Sequence, residues 1–326
     1  MAQSWFSDPE LLGTNFSVSC VCNNLSKAGD TLAYAHMDDV VVVNLAQTPC
    51  VANKLPIAEK SFIHQVRLCA LQDSVFIVVA SDNGVQIFDD KGEQNLYELA
   101  LKDALDTPEE GVAVFCRGIA AINASQPSLI VGTSLGKLLV LGKEKSSKAT
   151  SSQIEFDLLE TLREHKNSAI SCIESTPNGA LVASSDDNGL ILVHNPDDNF
   201  EVLHRIESSD PVTTMCFALE HWLVCGLLTG GMRIYKKENF QLHAEVAGHT
   251  RAITAVDVHE NHVVSVSEDT FMNVWELSSS KSSGRVRLVS SHRVPNDLLM
   301  GVAFAGAKSI LTATYDTSHL KLWVSE

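Results

Sequence analysis

The chain alternates short apolar runs with polar turns in a unit that recurs seven times. Each copy has an apolar run, a turn rich in Asp, Asn, Gly or Thr, and a second apolar run that often ends in an aromatic residue or Leu. The copies begin 40 to 53 residues apart, a spacing typical of propeller repeats. They are TLAYAHMDDVVVVNLA from Thr31, VFIVVASDNGVQIFDD from Val75, SLIVGTSLGKLLVLGK from Ser128, ALVASSDDNGLILVHN from Ala180, WLVCGLLTGGMRIYKK from Trp222, HVVSVSEDTFMNVWEL from His262 and SILTATYDTSHLKLWV from Ser309.

Further short apolar runs flank most copies, such as residues 66–70 before one copy and residues 201–206 after another. Four short strands joined by tight turns form antiparallel sheets. A single small sheet cannot bury both of its faces, whereas sheets stacked side by side can. The pattern therefore predicts an all-β protein, a single seven-bladed β-propeller of four-stranded antiparallel blades that occupies residues 1–326. We expect the blades to start near residues 17, 62, 111, 165, 210, 249 and 292.

The seventh unit raises the question of how the ring closes. Its third strand, residues 320–324, lies almost at Glu326, so its fourth strand does not follow it. A bare sheet edge would expose unpaired N–H and C=O groups. Residues 1–16 include the segment ELLGT at residues 10–14, which Pro9 precedes, and proline suits the start of a strand. We expect this segment to be the closing strand, antiparallel to residues 320–324.

Two units contain the polar residues of a WD repeat. In one of them Gly248-His249 precedes the first strand, Ser267 and Asp269 lie at the turn between the second and third strands, and Trp275 ends the third strand. The second set has one extra turn residue and consists of His292, Thr314, Asp316 and Trp323. With these motifs and the stretches CNNLS from Cys22, CRGIAA from Cys116 and SEDTFMNVWELS from Ser267, the chain resembles the WD repeat-containing protein 54 family.

The resemblance implies a structural network in the better-formed unit. It runs from Asp269 through His249 and Ser267 to the indole of Trp275, where it satisfies buried polar groups and fixes the turn. The other units are degenerate. His165 with Asp187 is a partial set, and His194 stands where a tryptophan would be. The resemblance also implies scaffold or adaptor work inside the cell.

The charge of the chain narrows the classes of partner. Forty acidic residues against 24 Lys and Arg give a formal net charge of −16, which argues against binding to nucleic acid or to an anionic membrane. No signal-peptide pattern is visible, and no apolar run is long enough to span a membrane. The eight cysteines form no C-x-x-C motif, so we expect reduced, buried thiols. These observations predict a cytoplasmic protein that binds other proteins.

Two stretches resemble catalytic motifs, one in the wrong structural context and the other with the wrong spacing. Residues 132–136 (GTSLG) match G-x-S-x-G around Ser134, but the apolar run that follows predicts a strand, whereas a nucleophile elbow requires a helix. A hydrolase acting through Ser134 is therefore a distant alternative. The stretch from His259 to His262 is one residue shorter than the zinc motif H-E-x-x-H. We predict no catalytic residue, no metal site and no cofactor.

The leading hypothesis is a non-catalytic interaction scaffold or adaptor, and the alternative is a structural subunit of a larger stable or self-associated assembly. We expect partners to bind the face formed by the loops that lead into the blades and by the turns between second and third strands. The candidate residues of the face are His165, Asn167, Asp187, Arg251, Glu268 and Arg293.

Two Ser- and Lys-rich stretches, residues 143–153 and 278–284, are interpreted as solvated loops, or alternatively as phosphorylation or docking loops.

Overall fold

A computed structural model describes residues 6–105, 111–142, 156–278 and 284–325 of the chain. In this part of the chain, 28 strands form seven four-stranded antiparallel sheets, and the helix α1 (Leu101–Ala104) is the one α-helix. The predicted all-β, seven-bladed architecture is confirmed. No helix in these residues has the length and apolar character needed to cross a lipid bilayer.

The strands follow one another in blade order. The chain starts with β1 (Glu10–Gly13). Blade 1 consists of β2 (Ser26–Ala28), β3 (Thr31–His36), β4 (Asp39–Asn44) and β5 (Val51–Lys54). Blade 2 consists of β6 (Ile63–Leu71), β7 (Ser74–Ser81), β8 (Gly84–Phe88) and β9 (Asn95–Ala100). Blade 3 consists of β10 (Cys116–Ile122), β11 (Ser128–Thr133), β12 (Leu138–Gly142) and β13 (Asp157–Leu162).

Blade 4 consists of β14 (Ile170–Ser175), β15 (Val182–Asp186), β16 (Leu190–Asn195) and β17 (Glu201–Glu207). Blade 5 consists of β18 (Val212–Ala218), β19 (Trp222–Leu227), β20 (Gly231–Lys236) and β21 (Leu242–Ala247). Blade 6 consists of β22 (Ile253–His259), β23 (His262–Ser267), β24 (Phe271–Leu277) and β25 (Val286–Arg293). Blade 7 consists of β26 (Leu299–Gly306), β27 (Ser309–Thr314) and β28 (His319–Val324), and β1 completes it.

The blades form a closed ring around a central channel. The first strand of each blade packs against the first strands of both neighbours, and β26 of blade 7 packs against β2 of blade 1. The second and third strands are almost entirely buried, whereas the fourth strands form the outer edge. In β17, for example, exposed and half-buried residues alternate, as expected for a strand with one face towards water.

The hydrophobic core is divided among the interfaces between blades. Seven clusters of buried residues are present in the described residues, and each joins two adjacent blades around the ring. In the interface of blades 1 and 2, for instance, Val40 and Leu55 pack with Ile63 and Ile77. Each blade thus buries both faces only because it has a neighbour on each side, which is the physical reason for the sevenfold repeat.

The ring is closed by the strand that the sequence predicts. β1 runs antiparallel to β28, with Glu10 opposite Leu322 and Leu12 opposite Leu320. The N–H of Thr14 donates to the carbonyl of Ser318 at 3.0 Å. Upstream, the buried Phe6 packs into the core between blades 6 and 7. The edge of β28 is therefore paired and not left open to solvent.

The cysteines fit the expectation only in part. All eight are free thiols, and the five on strands β6, β10, β14, β18 and β19 are buried. Cys50 is half-buried, but Cys20 and Cys22 are exposed. They lie in the loop before β2 and not on a strand. Of the two Ser- and Lys-rich stretches, residues 143–153 and 279–283 lie outside the described residues.

Candidate interaction face

One hydrogen bond recurs in six blades and places loops and turns side by side. The N–H of the first residue after the second strand donates to the carbonyl of the residue just before the first strand, at 2.9 to 3.2 Å. In blade 1 the N–H of Met37 donates instead to Oγ of Ser19. We call the surface formed by these turns and by the loops that lead into the first strands the turn face. The six pairs are Asp82–Phe62, Ser134–Phe115, Asp187–Ala169, Leu228–Pro211, Glu268–Ala252 and Tyr315–Leu298.

A buried polar network fixes the turn of blade 6. Nδ1 of His249 lies 3.1 Å from both carboxylate oxygens of Asp269, and Nε2 lies 2.8 Å from Oγ of Ser265. The indole N–H of Trp275 donates to the same Oγ at 2.9 Å. Burial disfavours the Asp269 carboxylate, but hydrogen bonds from His249 and from the N–H of Thr250 outweigh it and lower the pKa of Asp269 to about 2.

The prediction that Ser267 links His249 to Trp275 is wrong, because Ser265 does so. Trp275 lies opposite Val263 in the sheet, so Ser265 is its diagonal neighbour. Ser267 is two residues further, a step of roughly 7 Å along the strand. Its Oγ donates to the carbonyl of Arg251 and accepts the N–H of Asp269, both at 3.1 Å. Ser267 thus fixes the turn itself.

In the second predicted WD-repeat set, the hydroxyl that binds the tryptophan again lies two residues before the predicted one. The indole N–H of Trp323 donates to Oγ1 of Thr312 at 3.0 Å, and not to Thr314 as predicted. The ring of His292 lies 4.7 Å from that of Trp323. Asp316 is exposed on the turn, where its N–H donates to the carbonyl of Val18 at 3.0 Å. Of the predicted set, His292 and Trp323 are in ring contact, and Thr312 takes the place of Thr314.

Blade 4 contains a complete network that the sequence shows only in part. Nδ1 of His165 lies 2.9 Å from Oδ2 of Asp186, and Nε2 lies 2.8 Å from Oγ of Ser184. That Oγ is also 3.2 Å from Nε2 of His194, which replaces the tryptophan. The acid is thus Asp186, at the buried end of β15, and not the exposed Asp187 predicted. Burial lowers the pKa of His165, against the hydrogen bond to Asp186.

The network removes His165 from the candidate interaction residues, because its side chain is only 1% exposed. The other five lie on the turn face or at its rim. Arg251 donates from Nη2 to Oε2 of Glu268 at 2.9 Å. Asp187 accepts from Nη2 of Arg117 at 2.6 Å. Asn167 precedes β14, and Arg293 is the exposed end of β25. The structure therefore places these residues on blades 4 and 6 and leaves blades 7, 1 and 2 to other side chains.

Exposed apolar side chains are the feature that the prediction missed. Twelve large apolar residues are exposed in the described residues, and half of them belong to the turn face: Met37, Phe62, Val112, Leu228, Leu298 and Tyr315. The other six lie on strands, and none lies in a described turn of the opposite face. Three of the six on the turn face take the position that Asp82, Ser134, Asp187 and Glu268 take in other blades. An alignment of the seven units would have shown this contrast.

The central channel is covered on the turn face by the loop before β2. The N–H of Asn23 donates to the carbonyl of Thr254 at 2.8 Å, and its side-chain amide donates to the carbonyl of Thr213 at 3.0 Å. The loop thus reaches from blade 1 to blades 5 and 6. Beneath it is a cavity of about 230 Å³ whose lining includes Arg67, Glu174 and Asp257.

Backbone groups of the loop before β10 hold the hydroxyl of Ser134. Its Oγ donates to the carbonyl of Ala113 at 3.0 Å and accepts the N–H of Phe115 at 3.1 Å. Strand β12 follows the turn, as the sequence predicts. Gly136 has φ +71°, and a Cβ there would lie 2.8 Å from the carbonyl oxygen of Ser168. Glycine is thus required by the turn, whatever residue stands at position 134.

The stretch from His259 to His262 is the tight connection of β22 to β23, where the two histidines pair across the sheet. A zinc motif of the H-E-x-x-H type places its histidines on one face of a helix. In the part of the chain that the structure describes, no group of three or more His, Cys, Asp or Glu is arranged to hold a metal ion.

Comparisons with known proteins agree with this architecture. The human WD repeat-containing protein 54 is 28% identical over 296 residues, which cover 87% of this chain and 84% of that protein. The rat WD repeat domain 54 is 27% identical over 79% of this chain and 77% of its own length. A chain from the crystal structure of the mitotic checkpoint complex has the same fold, with a TM-score of 0.75, 14% identity and coverage of 99% of this chain and 96% of that one. The model of the WDR54 family matches residues 18–325. The chain therefore belongs to the WDR54 family of WD-repeat β-propellers.

Proposed function

We propose that this propeller is a non-catalytic scaffold or adaptor inside the cell and that its protein partner binds the turn face. The exposed apolar side chains of this face carry the proposal. Single exposed hydrophobic residues are ordinary, but a group of them on one surface is typical of an interface. Met37 is 65% exposed and Tyr315 is 45% exposed, and their burial by a partner would remove apolar area from water.

The ion pairs of the same face support a role in partner selection. Arg251 and Glu268 lie in the loop and turn of blade 6, and Asp187 lies at the corresponding turn of blade 4. Charges at the rim of an interface contribute more to association rate and specificity than to affinity. The turn face thus combines apolar anchors with charged residues that a correct partner would match.

Affinity purification of the full-length chain from its native cells, followed by mass spectrometry, tests the proposal. We expect two double variants, Met37→Ser with Tyr315→Ser and Arg251→Glu with Glu268→Arg, to lose partners that the wild type retains. Leu11→Ser is the matched control, because Leu11 is 58% exposed but lies on β1 at the outer edge of blade 7. If both turn-face variants keep every partner while their melting temperatures are unchanged, the turn face is the wrong surface.

A second function is favoured by the outer edge of three adjacent blades. Leu203, Leu242 and Leu288 lie on the fourth strands of blades 4, 5 and 6 and are 42% to 51% exposed. Such a row fits a structural subunit that packs edge-on into a larger or self-associated assembly. Sedimentation velocity tests this alternative. An oligomer that becomes a monomer when the three leucines are changed to serine would support it, and a wild-type monomer at all concentrations would contradict self-association.

A further inference from the structure

Four of the exposed apolar residues form a continuous group, which we call the apolar sector: Met37, Phe62, Leu298 and Tyr315. They belong to three consecutive blades, because blade 7 adjoins blade 1 and blade 1 adjoins blade 2. Their exposed fractions range from 36% to 65%.

Backbone contacts connect these residues in one line. The N–H of Tyr315 donates to the carbonyl of Leu298 at 2.9 Å, and Tyr315 forms a β-bridge with Val18. The next residue of that loop, Ser19, accepts the N–H of Met37 at 2.6 Å. The carbonyl of Met37 in turn accepts the N–H of Ile63, which follows Phe62, at 3.3 Å. The loops and turns that carry the four residues are therefore connected to one another from blade 7 to blade 2.

Acidic residues flank the sector. Asp38 and Asp316 directly follow two of its members, and Glu59 and Asp82 lie beside Phe62 in the leading loop and turn of blade 2. In the loops and turns of blades 7, 1 and 2 on this face, Lys60 is the one Lys or Arg in the described residues. Its Nζ is 2.5 Å from Oδ1 of Asp39, which also binds Nζ of Lys54 on β5 at 2.6 Å. Asp39 thus leaves one ammonium charge unbalanced, and the flanking carboxylates outnumber it, so the net charge around the sector is negative.

The rest of the turn face differs from the apolar sector in its charges. There basic and acidic residues are paired, as in Arg117 of blade 3 with Asp187 of blade 4 and Arg251 with Glu268 within blade 6. Leu228 of blade 5 has the turn position of Met37 and Tyr315, and it is 52% exposed, but Thr229 follows it where Asp38 and Asp316 follow the other two. Leu228 is therefore a natural control for the sector.

We propose that the apolar sector binds a protein segment that presents large apolar side chains together with Lys or Arg. The inference rests on the proposed function and specifies the chemistry of the partner. Apolar side chains of the segment would cover the sector, and its cations would approach Asp38, Asp316 and Glu59, as complementary charges do at interfaces. A second copy of this chain fits poorly, because each copy has a net charge of −16 and would bring like charges together.

A displayed library of random peptides tests the proposal on the full chain, because folded domains commonly recognise short segments through grooves and pockets. We expect the selected peptides to be enriched in Lys or Arg and in large apolar residues. Their Kd, measured by fluorescence anisotropy with synthetic copies, should rise about tenfold with Met37→Ser and Tyr315→Ser, as for the loss of interface anchors. Asp38→Asn with Asp316→Asn should weaken binding less and should reduce its dependence on salt. Leu228→Ser should leave the Kd unchanged.

Each other outcome overturns the inference in a recognisable way. Peptides that respond to Leu228→Ser or Arg251→Glu, but not to changes in the sector, would retain the turn face and reject the sector. Peptides that respond to no turn-face variant would reject the proposed function as well. Enrichment of acidic peptides, or a library that yields no binder, would reject the proposed chemistry. A dimer that Met37→Ser with Tyr315→Ser dissociates would identify a second copy as the occupant.

Discussion

At the scale of single residues, two serines of β23 have different tasks although they lie on the same side of the strand. Ser265 accepts the indole N–H of Trp275 and contacts His249, whereas Ser267 bonds only to backbone groups of the turn. We expect Ser265→Ala to lower the free energy of unfolding by about 1–3 kcal/mol, the cost of leaving buried polar groups unsatisfied.

A double-mutant cycle distinguishes the two serines. Ser265→Ala and Trp275→Phe should be non-additive in urea unfolding, because each removes the same hydrogen bond. Ser267→Ala and Trp275→Phe should add within experimental error. The assignment of Ser265 to the network would be refuted if the two cycles gave the same coupling.

Asp257 makes stability depend on pH in a direction opposite to most carboxylates. Its Oδ2 accepts the N–H of Phe304 at 2.6 Å, which joins blade 6 to blade 7. Burial, with a smaller contribution from nearby Glu174, raises the pKa of Asp257 from its ordinary 3.8 to about 6, against the hydrogen bonds from the N–H groups of Phe304 and Val258. The folded state thus keeps a proton up to about pH 6, whereas the unfolded chain releases it near pH 4. Stability from this group is lost as the pH rises between those values.

Asp257→Asn should remove this loss, because the amide oxygen still accepts the Phe304 N–H and carries no charge. We expect the variant to gain about 1–3 kcal/mol relative to wild type between pH 4 and pH 7, given roughly 1.4 kcal/mol for each pKa unit. Urea unfolding of both proteins across this range measures the difference. A stability difference that stays constant with pH would show that Asp257 titrates normally.

At the scale of elements, the four-residue strand β1 closes the ring. Its side chains alternate, so Leu12 packs into the core between blades 7 and 1 while Leu11 is 58% exposed. Deletion of residues 1–15 would unpair the edge of β28, and we expect a lower melting temperature and aggregation. Thermal unfolding and light scattering check this expectation.

A pair of single substitutions separates strand pairing from side-chain packing. Leu12→Asp should destabilise the protein by a few kcal/mol, because it places a charge against a hydrophobic core. Leu11→Asp changes the same strand on its solvent side and should have an effect within about 0.5 kcal/mol. Equal effects of the two, or a truncated chain that remains monomeric with the wild-type melting temperature, would contradict the closure by β1.

At the scale of the whole molecule, hydrogen bonds across the channel wall connect blades that share no sheet. Arg67 of blade 2 donates from Nη1 to the carbonyls of Ile119 and Ile173, in blades 3 and 4, and from Nη2 to Glu174 at 2.6 Å. One side chain therefore holds three blades in register around the channel.

We expect Arg67→Met to lower the free energy of unfolding by about 1–3 kcal/mol. A fully buried pair would cost about 3–5 kcal/mol to break, but the Arg67 side chain is 30% exposed, so water in the channel weakens the effect. Adding Glu174→Gln should restore part of the loss by removing the unpaired charge. Arg251→Met, which breaks an exposed pair, is the control and should cost less than about 1 kcal/mol. Chemical denaturation checks all four proteins.

The sequence by itself determined the features that depend on neighbouring residues. Strand, turn and strand are local patterns, and their sevenfold recurrence leaves few arrangements that bury every sheet. The closing strand was also predictable, because the unpaired edge after β28 required a partner and residues 10–14 supplied one.

Only the tertiary structure decided which side chains meet across strands and blades. The sequence placed Ser267, Thr314 and Asp187 at or beside the turns between second and third strands, but bonding depends on register. A shift of two residues, as from Ser267 to Ser265, keeps the same face while changing the partner, and a shift of one, as from Asp187 to Asp186, changes the face. Burial of His165 and exposure of Met37 depend in the same way on the packing of loops that are distant in the chain. The apolar sector arises from three blades at the two ends of the sequence, which only closure of the ring brings together.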